Sequence, residues 1–311
     1  MRAVVIRTFG GPEVLQIADV PMPVAGEGQI RIRVEAATVN PVDLATRSGA
    51  LTEAGLLPAR DVIGIGWDVA GTVEQTGPGV TGLGRGERVI GLSDRLDVPL
   101  GAQAEYVVLD ADAVAAAPAG VSPVQAATLP LNGLTAAQAL DGLDLDHGQT
   151  LLVTGAAGAV GGFAVQLAVA RGLRVIAVAG ADDEPLVRGL GADLFVPRTA
   201  RLGEAVRRLV PGGAHAALDA AVVGVAALDA VRSGGAFAAL AAGGAPLPLR
   251  GIRVFNHWIR ADGALLSGLA ALVEAGSLAL RVAESRPLDQ VAAAHRRLAE
   301  GGLRCRLVLT P

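Results

Sequence analysis

The 311-residue chain predicts an α/β protein of two domains, a β-rich barrel followed by a doubly wound parallel sheet. Three observations lead there. The first hundred or so residues alternate apolar with polar side chains in short runs, separated by glycine and proline. From Gln149 onward, short apolar runs alternate with helical stretches, the pattern of parallel βαβ units with right-handed crossovers. Where the first such strand gives way to its helix stands VTGAAGAVGG, residues 153–162, too small in side chain to pack a core.

Each element has its own signal. AVVIR, VLQIADV, QIRIRVEAATV, AGTVEQTG, GERVIGL and AEYVVL alternate as half-buried strands do, and their shortness suggests a strongly bent barrel or sandwich. After Pro118 the character changes. VSPVQAATL sets a serine at the N-cap and a proline behind it, a helix start. TLLVTG, RVIAVAG, DLFVP, HAALDA and GAFAALAA read as strands, with GGFAVQLAVARG and ARLGEAVRRLV as helices between them. From about Asp262 come two helices, LLSGLAALVEAG and LDQVAAAHRRLAEGG, then a last strand, RLVL, free to return to the first domain. The predicted domains are residues 1–120 with about 262–311, and residues 121–261.

Composition removes several chemistries. A net charge of −4 argues against a nucleic-acid partner. All 26 basic residues are arginine, so Schiff-base and pyridoxal chemistry and the phosphate-loop lysine are excluded. The single cysteine, Cys305, rules out an intramolecular disulfide and a multi-cysteine zinc site. MRAVVIRTFGG lacks the layout of a signal peptide. Residues 113–140 and 147–170 carry no acid, lysine or arginine, but Pro118, Pro123 and Pro130 break the first and glycines the second, so no membrane span is expected. The expectation is a soluble, cytoplasmic protein.

Ala156-x-Gly158-x-x-Gly161 is the dinucleotide fingerprint with alanine in its first place. Small residues there permit a tight turn, backbone approach to a pyrophosphate and close packing of helix on strand, while the helix N-terminus favours the phosphates. Ala156, Ala157, Gly158, Ala159, Val160 and Gly161 are therefore the candidate cradle. Where NAD binders carry an acid at the end of the second strand, this chain has Ala179-Gly180. That leaves room for a 2′-phosphate and favours NADP(H), with NAD(H) still open. Arg198 is the nearest candidate phosphate partner, an ordinary surface arginine being the alternative.

A short-chain reductase needs a tyrosine and a lysine four residues apart. With Tyr106 as the only tyrosine and no lysine, that type is excluded. ATVNPVDLATRSG, GWDVAGTVEQTGPGVTGLGRGERVIG, GAQAEYVVL, AATLPLNGLTAAQAL and GAAGAVGGFAVQLA, in that order, resemble the quinone oxidoreductase branch of the medium-chain dehydrogenase/reductase superfamily, to which zeta-crystallin belongs. The resemblance spans nearly the whole chain. It implies an N-terminal GroES-like β-rich barrel domain plus a Rossmann doubly wound parallel-sheet domain, a site between them, and a homodimer. Zinc-dependent members have a cysteine where this chain has Asn40, and His-Glu where it has Trp67-Asp68. Neither asparagine nor tryptophan replaces a thiolate or an imidazole on zinc, so no metal is expected.

The resemblance also suggests roles. Asn40 would line the nicotinamide and substrate pocket and donate its amide to a substrate oxygen, the alternative being a tie on the turn before Pro41. Trp67 would wall the cleft or pack in the core, and Asn132 would face the cleft. Thr135 would meet the nicotinamide ribose, and Leu240, Ala241 and Gly243 would run beside the nicotinamide. Asp43 and Arg47 brace the helix after the NPVD turn; Asp68 reads as structural; Ala50, Leu51 and Thr52 stand where relatives carry a tyrosine. His257 and Cys305 read as packing residues. The implied reaction is hydride transfer from NADP(H) to a quinone or an α,β-unsaturated carbonyl. Alternatives are an enoyl reductase on a thioester or biosynthetic intermediate, and an NADPH-binding regulatory or structural protein.

Overall fold

A computed structural model describes residues 1–58, 60–241 and 243–311. They form two compact units, Met1–Leu131 with Arg260–Pro311, and Asn132–Ile259. Residues 121–131, read from sequence as the start of the second domain, cluster with the first unit.

The first unit opens with β1 (Arg2–Ile6), β2 (Gln16–Asp19) and β3 (Gln29–Val39), then α1 (Pro41–Ser48), α2 (Ala50–Glu53) and β4 (Ile63–Gly64). It continues through β5 (Asp68–Thr76), β6 (Arg88–Leu92), β7 (Tyr106–Asp110), β8 (Val114–Ala116), α3 (Pro123–Ala126) and the start of α4 (Pro130–Leu143). In β3 the period of two turns Ile30, Ile32 and Val34 inward, while Arg31, Arg33 and Glu35 stay partly or fully exposed. From Ala36 on, both faces are buried, because new neighbours take over. Its first half pairs with β7 and β5, with register shifts at Arg31/Ile32 and Val34/Ala36 that let the strand bend.

α1 starts where Pro41 occupies the first turn and the Asp43 carboxylate accepts the Asn40 N–H at 2.7 Å. The helix ends at Gly49, whose φ of +92° belongs to glycine. α3 carries the expected cap, Ser122 and Gln125 bonding to one another's backbone.

The second unit contains β9 (Thr150–Thr154), α5 (Ala159–Ala170), β10 (Arg174–Ala179), α6 (Glu184–Gly189), β11 (Leu194–Pro197) and α7 (Leu202–Leu209). After these come β12 (Ala214–Asp219), α8 (Val225–Asp229), β13 (Val231–Ala239) and β14 (Arg253–Asn256). The sheet is parallel throughout, in the order β11-β10-β9-β12-β13-β14. Strand order therefore reverses between β9 and β12, a Rossmann switch point. Leu152, Ile176, Val196, Val206 and Phe237 fill one face of this sheet, all 0–2 % exposed.

The chain then re-enters the first unit with α9 (Gly263–Glu274), β15 (Val282–Pro287), α10 (Val291–Ala299) and β16 (Arg306–Thr310). β16 pairs antiparallel with the last residues of β3, Leu307 opposite Val39. Four strands are absent from the sequence reading, the very short β4 and β8 and the longer β14 and β15. β14 and β15 are edge strands, each with its outer side unpaired, so they carry arginines and a glutamate that hide the alternation. Among the described residues no helix is long and apolar enough to cross a membrane.

Candidate functional site

In the second unit the small residues at 155–162 do three separate jobs. Gly155, at φ +62°, turns the chain out of β9. Gly158 precedes α5 in extended conformation, and no side chain caps that helix. Gly161 is the tightest: a Cβ there would lie 2.2 Å from the Gly155 carbonyl oxygen, so helix and turn touch backbone to backbone. The first hydrogen bond within α5 runs from Gly162 N–H to the Gly158 carbonyl at 3.1 Å. The N–H groups of Ala159, Val160 and Gly161 thus have no acceptor in the helix, and with its dipole they offer a seat for an anion. Ala156 and Ala157 are buried beneath this turn.

At the carboxyl ends of β10, β11 and β13 lie several of the other expected cofactor residues. Ala179 is buried and Gly180 half-buried. Arg198 donates its backbone N–H to the Ala179 carbonyl at 2.8 Å, and its exposed guanidinium has no partner among the described residues. Leu240 and Ala241 follow β13, half-buried, and Gly243 is exposed at φ +70°. Asn132 and Thr135 are one turn apart in α4, 0 % and 8 % exposed.

One feature here escapes sequence reasoning. Asp219, 1 % exposed, ends β12 directly opposite Thr154 at the switch point. Its carboxylate accepts the Thr154 hydroxyl at 2.5 Å and the N–H groups of Val223 and Gly224 at 3.0 and 2.8 Å. It therefore pins the loop that leaves the sheet beside the glycine turn. The readable signal was a lone acid closing an otherwise apolar strand, HAALDA.

The first unit gathers a different set. Thr38, Asn40, Asp43, Asp68 and Gln103 are all 0 % exposed and joined in one network. The Asn40 amide gives its two N–H groups to Asp68 at 2.6 Å and Thr38 at 2.8 Å, while its oxygen accepts from Arg306 Nε at 2.8 Å. Asp68 also accepts the Thr38 hydroxyl and the Leu131 N–H, the latter at 2.6 Å. Asp43 accepts from Asn40 N–H and from Gly66 N–H at 3.1 Å, with Gln103 Nε2 at 3.5 Å.

Burial pushes Asp43 up to about 7, the Asn40 and Gly66 N–H groups pulling it back and nearby Asp68 pushing it further. Asp68 is raised by burial too, against the bonds from Thr38, Leu131 and Asn40. Burial lowers Arg306, which Asp68 and Asp43 partly offset.

The Asn40 N–H groups expected for a substrate oxygen are thus both spent inside the protein. The reason is the 0 % exposure of the side chain together with two acceptors at hydrogen-bond distance. Arg306 was missed, because only the pairing of β16 with β3 brings it to Asn40. Trp67 is half-buried and lines a small cavity of about 30 Å³ with Thr46, Gly66, Ser93 and Leu100. That is room for about one water molecule. Thr52, in α2, keeps a buried hydroxyl with no partner. His257 is half-buried after β14, its backbone N–H on the Ala239 carbonyl at 2.8 Å. Cys305 is 3 % exposed, its thiol pushed up by burial.

Residues 26–119 match the alcohol dehydrogenase GroES-like domain, and residues 159–278 match the zinc-binding dehydrogenase domain. A chloroplastic quinone-oxidoreductase homolog of Spinacia oleracea is 37% identical over 59% of this chain, and the match covers 56% of that protein. The NADPH-dependent alkenal/one oxidoreductase of Arabidopsis thaliana chloroplasts is 33% identical over 89% of this chain and 70% of its own. The chain belongs to the quinone oxidoreductase branch of the medium-chain dehydrogenase/reductase superfamily. A solved NAD-dependent alcohol dehydrogenase has the same fold, with a TM-score of 0.89 and 31% identity over 100% of both chains. The order of a GroES-like unit and a Rossmann unit is that of this superfamily.

The second domain family carries zinc-binding in its name, and the donor set at Asn40, Trp67 and Asp68 bears on that. A zinc ion needs lone pairs from thiolate, imidazole or carboxylate. Here the Asn40 oxygen is taken by a guanidinium, both Asp68 oxygens accept hydrogen bonds, and Trp67 offers no lone pair. Among the described residues no three histidine, cysteine or acidic side chains cluster to hold a metal. The side chains at these positions do not fit zinc. The dinucleotide is different: the uncapped, bare N-terminus of α5 at the switch point suits a diphosphate.

Proposed function

We propose that this protein is a zinc-independent reductase that prefers NADP(H) and acts on quinones or α,β-unsaturated carbonyls. The observation that carries this reading is the network around Asn40, where the amide is bonded to Asp68, Thr38 and Arg306 and neither thiolate nor imidazole stands to ligate a metal. Polarisation then has to come from hydrogen bonds. Acceptors that spread the incoming charge over a conjugated system need the least of it. The bound dinucleotide would supply the hydride.

The chain's own residues hold and aim. The first turn of α5 would seat the diphosphate, with Gly161 keeping helix and turn in contact. Arg198, exposed and unpaired beside Ala179, would meet a 2′-phosphate, which supports NADP(H) over NAD(H). The Asp219–Thr154 pair would keep the neighbouring loop in place. Names of relatives point both ways on the cofactor, NADPH in one and NAD in another. We further propose a homodimer. Support comes from the open edge of β14 and from exposed Leu247, Leu249 and Trp258 near it in sequence, each 54–80 % exposed. A single cysteine, with no intramolecular disulfide possible, suits the cytoplasm.

The test is consumption of NADPH and of NADH by the purified protein against panels of quinones, enones and enoyl thioesters. Turnover on quinones or enones with a preference for NADPH supports the reading. Preference for thioesters favours the enoyl reductase. Tight NADPH binding with no turnover on any panel overturns it in favour of a regulatory protein.

A further inference from the structure

We propose that Arg306 is a catalytic residue, the fixed cation that donates to the acceptor oxygen as negative charge gathers there. The proposal deepens the reductase reading and rests on it. Arg306 begins β16, partly buried, with Nε on the Asn40 oxygen at 2.8 Å. Asn40 cannot turn away, since Asp68 and Thr38 hold its other end. So the guanidinium is anchored by one nitrogen to an immobile amide.

Its two terminal nitrogens are another matter. Neither has an acceptor within hydrogen-bond distance among the described residues, and neither is a fully buried atom. Asp68 and Asp43 attract the guanidinium electrostatically but form no ion pair with it. The planar fork of N–H donors therefore stays open. Guanidinium is suited to receive an oxyanion, because it holds its protons and presents parallel donors. A structural arginine would be expected to spend that fork on carbonyls, as Arg250 does on those of Leu228 and Val231 at 2.8 and 2.9 Å.

The step balances without further reagents. A bound dinucleotide would supply the hydride for the new C–H bond at the electron-poor acceptor carbon and would itself be oxidised by two electrons. The π pair of the conjugated system would move onto oxygen, where the terminal N–H groups of Arg306 would stabilise it. A proton from water would complete the product.

The experiment has an arm that needs no cofactor. The protein alone is titrated with 4-nitrophenol across pH, using the phenolate colour to follow an oxyanion in the site. The wild type should prefer the phenolate and lower the dye's apparent pKa on binding. Arg306→Gln should weaken phenolate binding about tenfold or more, and Arg306→Lys should recover part of it. In turnover with NADPH, Arg306→Gln should cut kcat by roughly 10²–10³ while leaving dinucleotide affinity unchanged. Added guanidinium ion should restore part of that rate.

A wild type indifferent to phenolate, or an Arg306→Gln variant that binds it equally, overturns the proposal. If the glutamine variant does not fold, the wild-type titration and the lysine variant decide alone. Phenolate binding lost in the variants, together with no turnover by the wild type, would keep the oxyanion site and reject the reductase reading.

Discussion

The Asn40 amide joins a carboxylate, a hydroxyl and a guanidinium that have no other common partner. Asn40→Ala removes it and leaves Asp68 short of a donor and Arg306 without its anchor. Such a loss inside the core costs about 1–3 kcal/mol. Denaturant melts should show that drop, and kcat should fall while dinucleotide affinity holds. At the other unit, Arg198→Ala should raise KM for NADPH about tenfold and barely change that for NADH, a charge-assisted contact to phosphate being lost. Equal changes for both would return Arg198 to the ordinary surface. Asn40, Asp68 and Arg198 drew notice from their places in motifs, though the bonds that Asn40 makes did not. Arg306 drew none, since 266 residues separate it from the amide it touches.

At the scale of elements, the α5 turn depends on bare backbone. Gly161→Ala would press a methyl group against the Gly155 carbonyl and part helix from strand. We expect a lower melting temperature and loss of dinucleotide binding by fluorescence. Gly268 is the contrast: it lies inside α9, exposed, with open space where a Cβ would go. Gly268→Ala should therefore stabilise the protein by about 0.5–1 kcal/mol, read from the same melts. The strand and helix around Gly161 were readable because a continuous apolar run, a glycine turn and a second long apolar stretch follow one another. β14 and β15 were not, because an edge strand half in water has no need of such a run.

For the whole molecule, two buried groups titrate with opposite effect on stability. Asp43 rises from 3.8 to about 7, so between those values the folded state binds more protons and stability falls as pH rises. Asp68, raised for the same cause, acts with the same sign. His295 is 0 % exposed, its Nδ1 3.4 Å from Arg47. Burial and that guanidinium lower it from 6.5 to about 3. Over that window the unfolded chain binds more protons, so stability falls as pH drops. Relative to wild type, Asp43→Asn should gain stability as pH rises from about 4 to 7. His295→Gln should gain it as pH falls from about 6.5 to 3. Denaturant midpoints along a pH series check both slopes, and parallel curves for either variant would refute its assignment.

By itself the order of residues determined the class of fold, the glycine-rich turn between the first parallel strand and its helix, and the residue types that stand at positions 40 and 67. Those are local facts, carried by period, by side-chain size and by side-chain chemistry. Tertiary structure alone decided that the last strand lies against β3, and so that Arg306 meets Asn40. It also decided that Asp219 and Thr154 share the switch point. Charge balance and hydrogen-bond satisfaction are properties of neighbours in space, and those neighbours here are 65 to 266 positions apart along the chain.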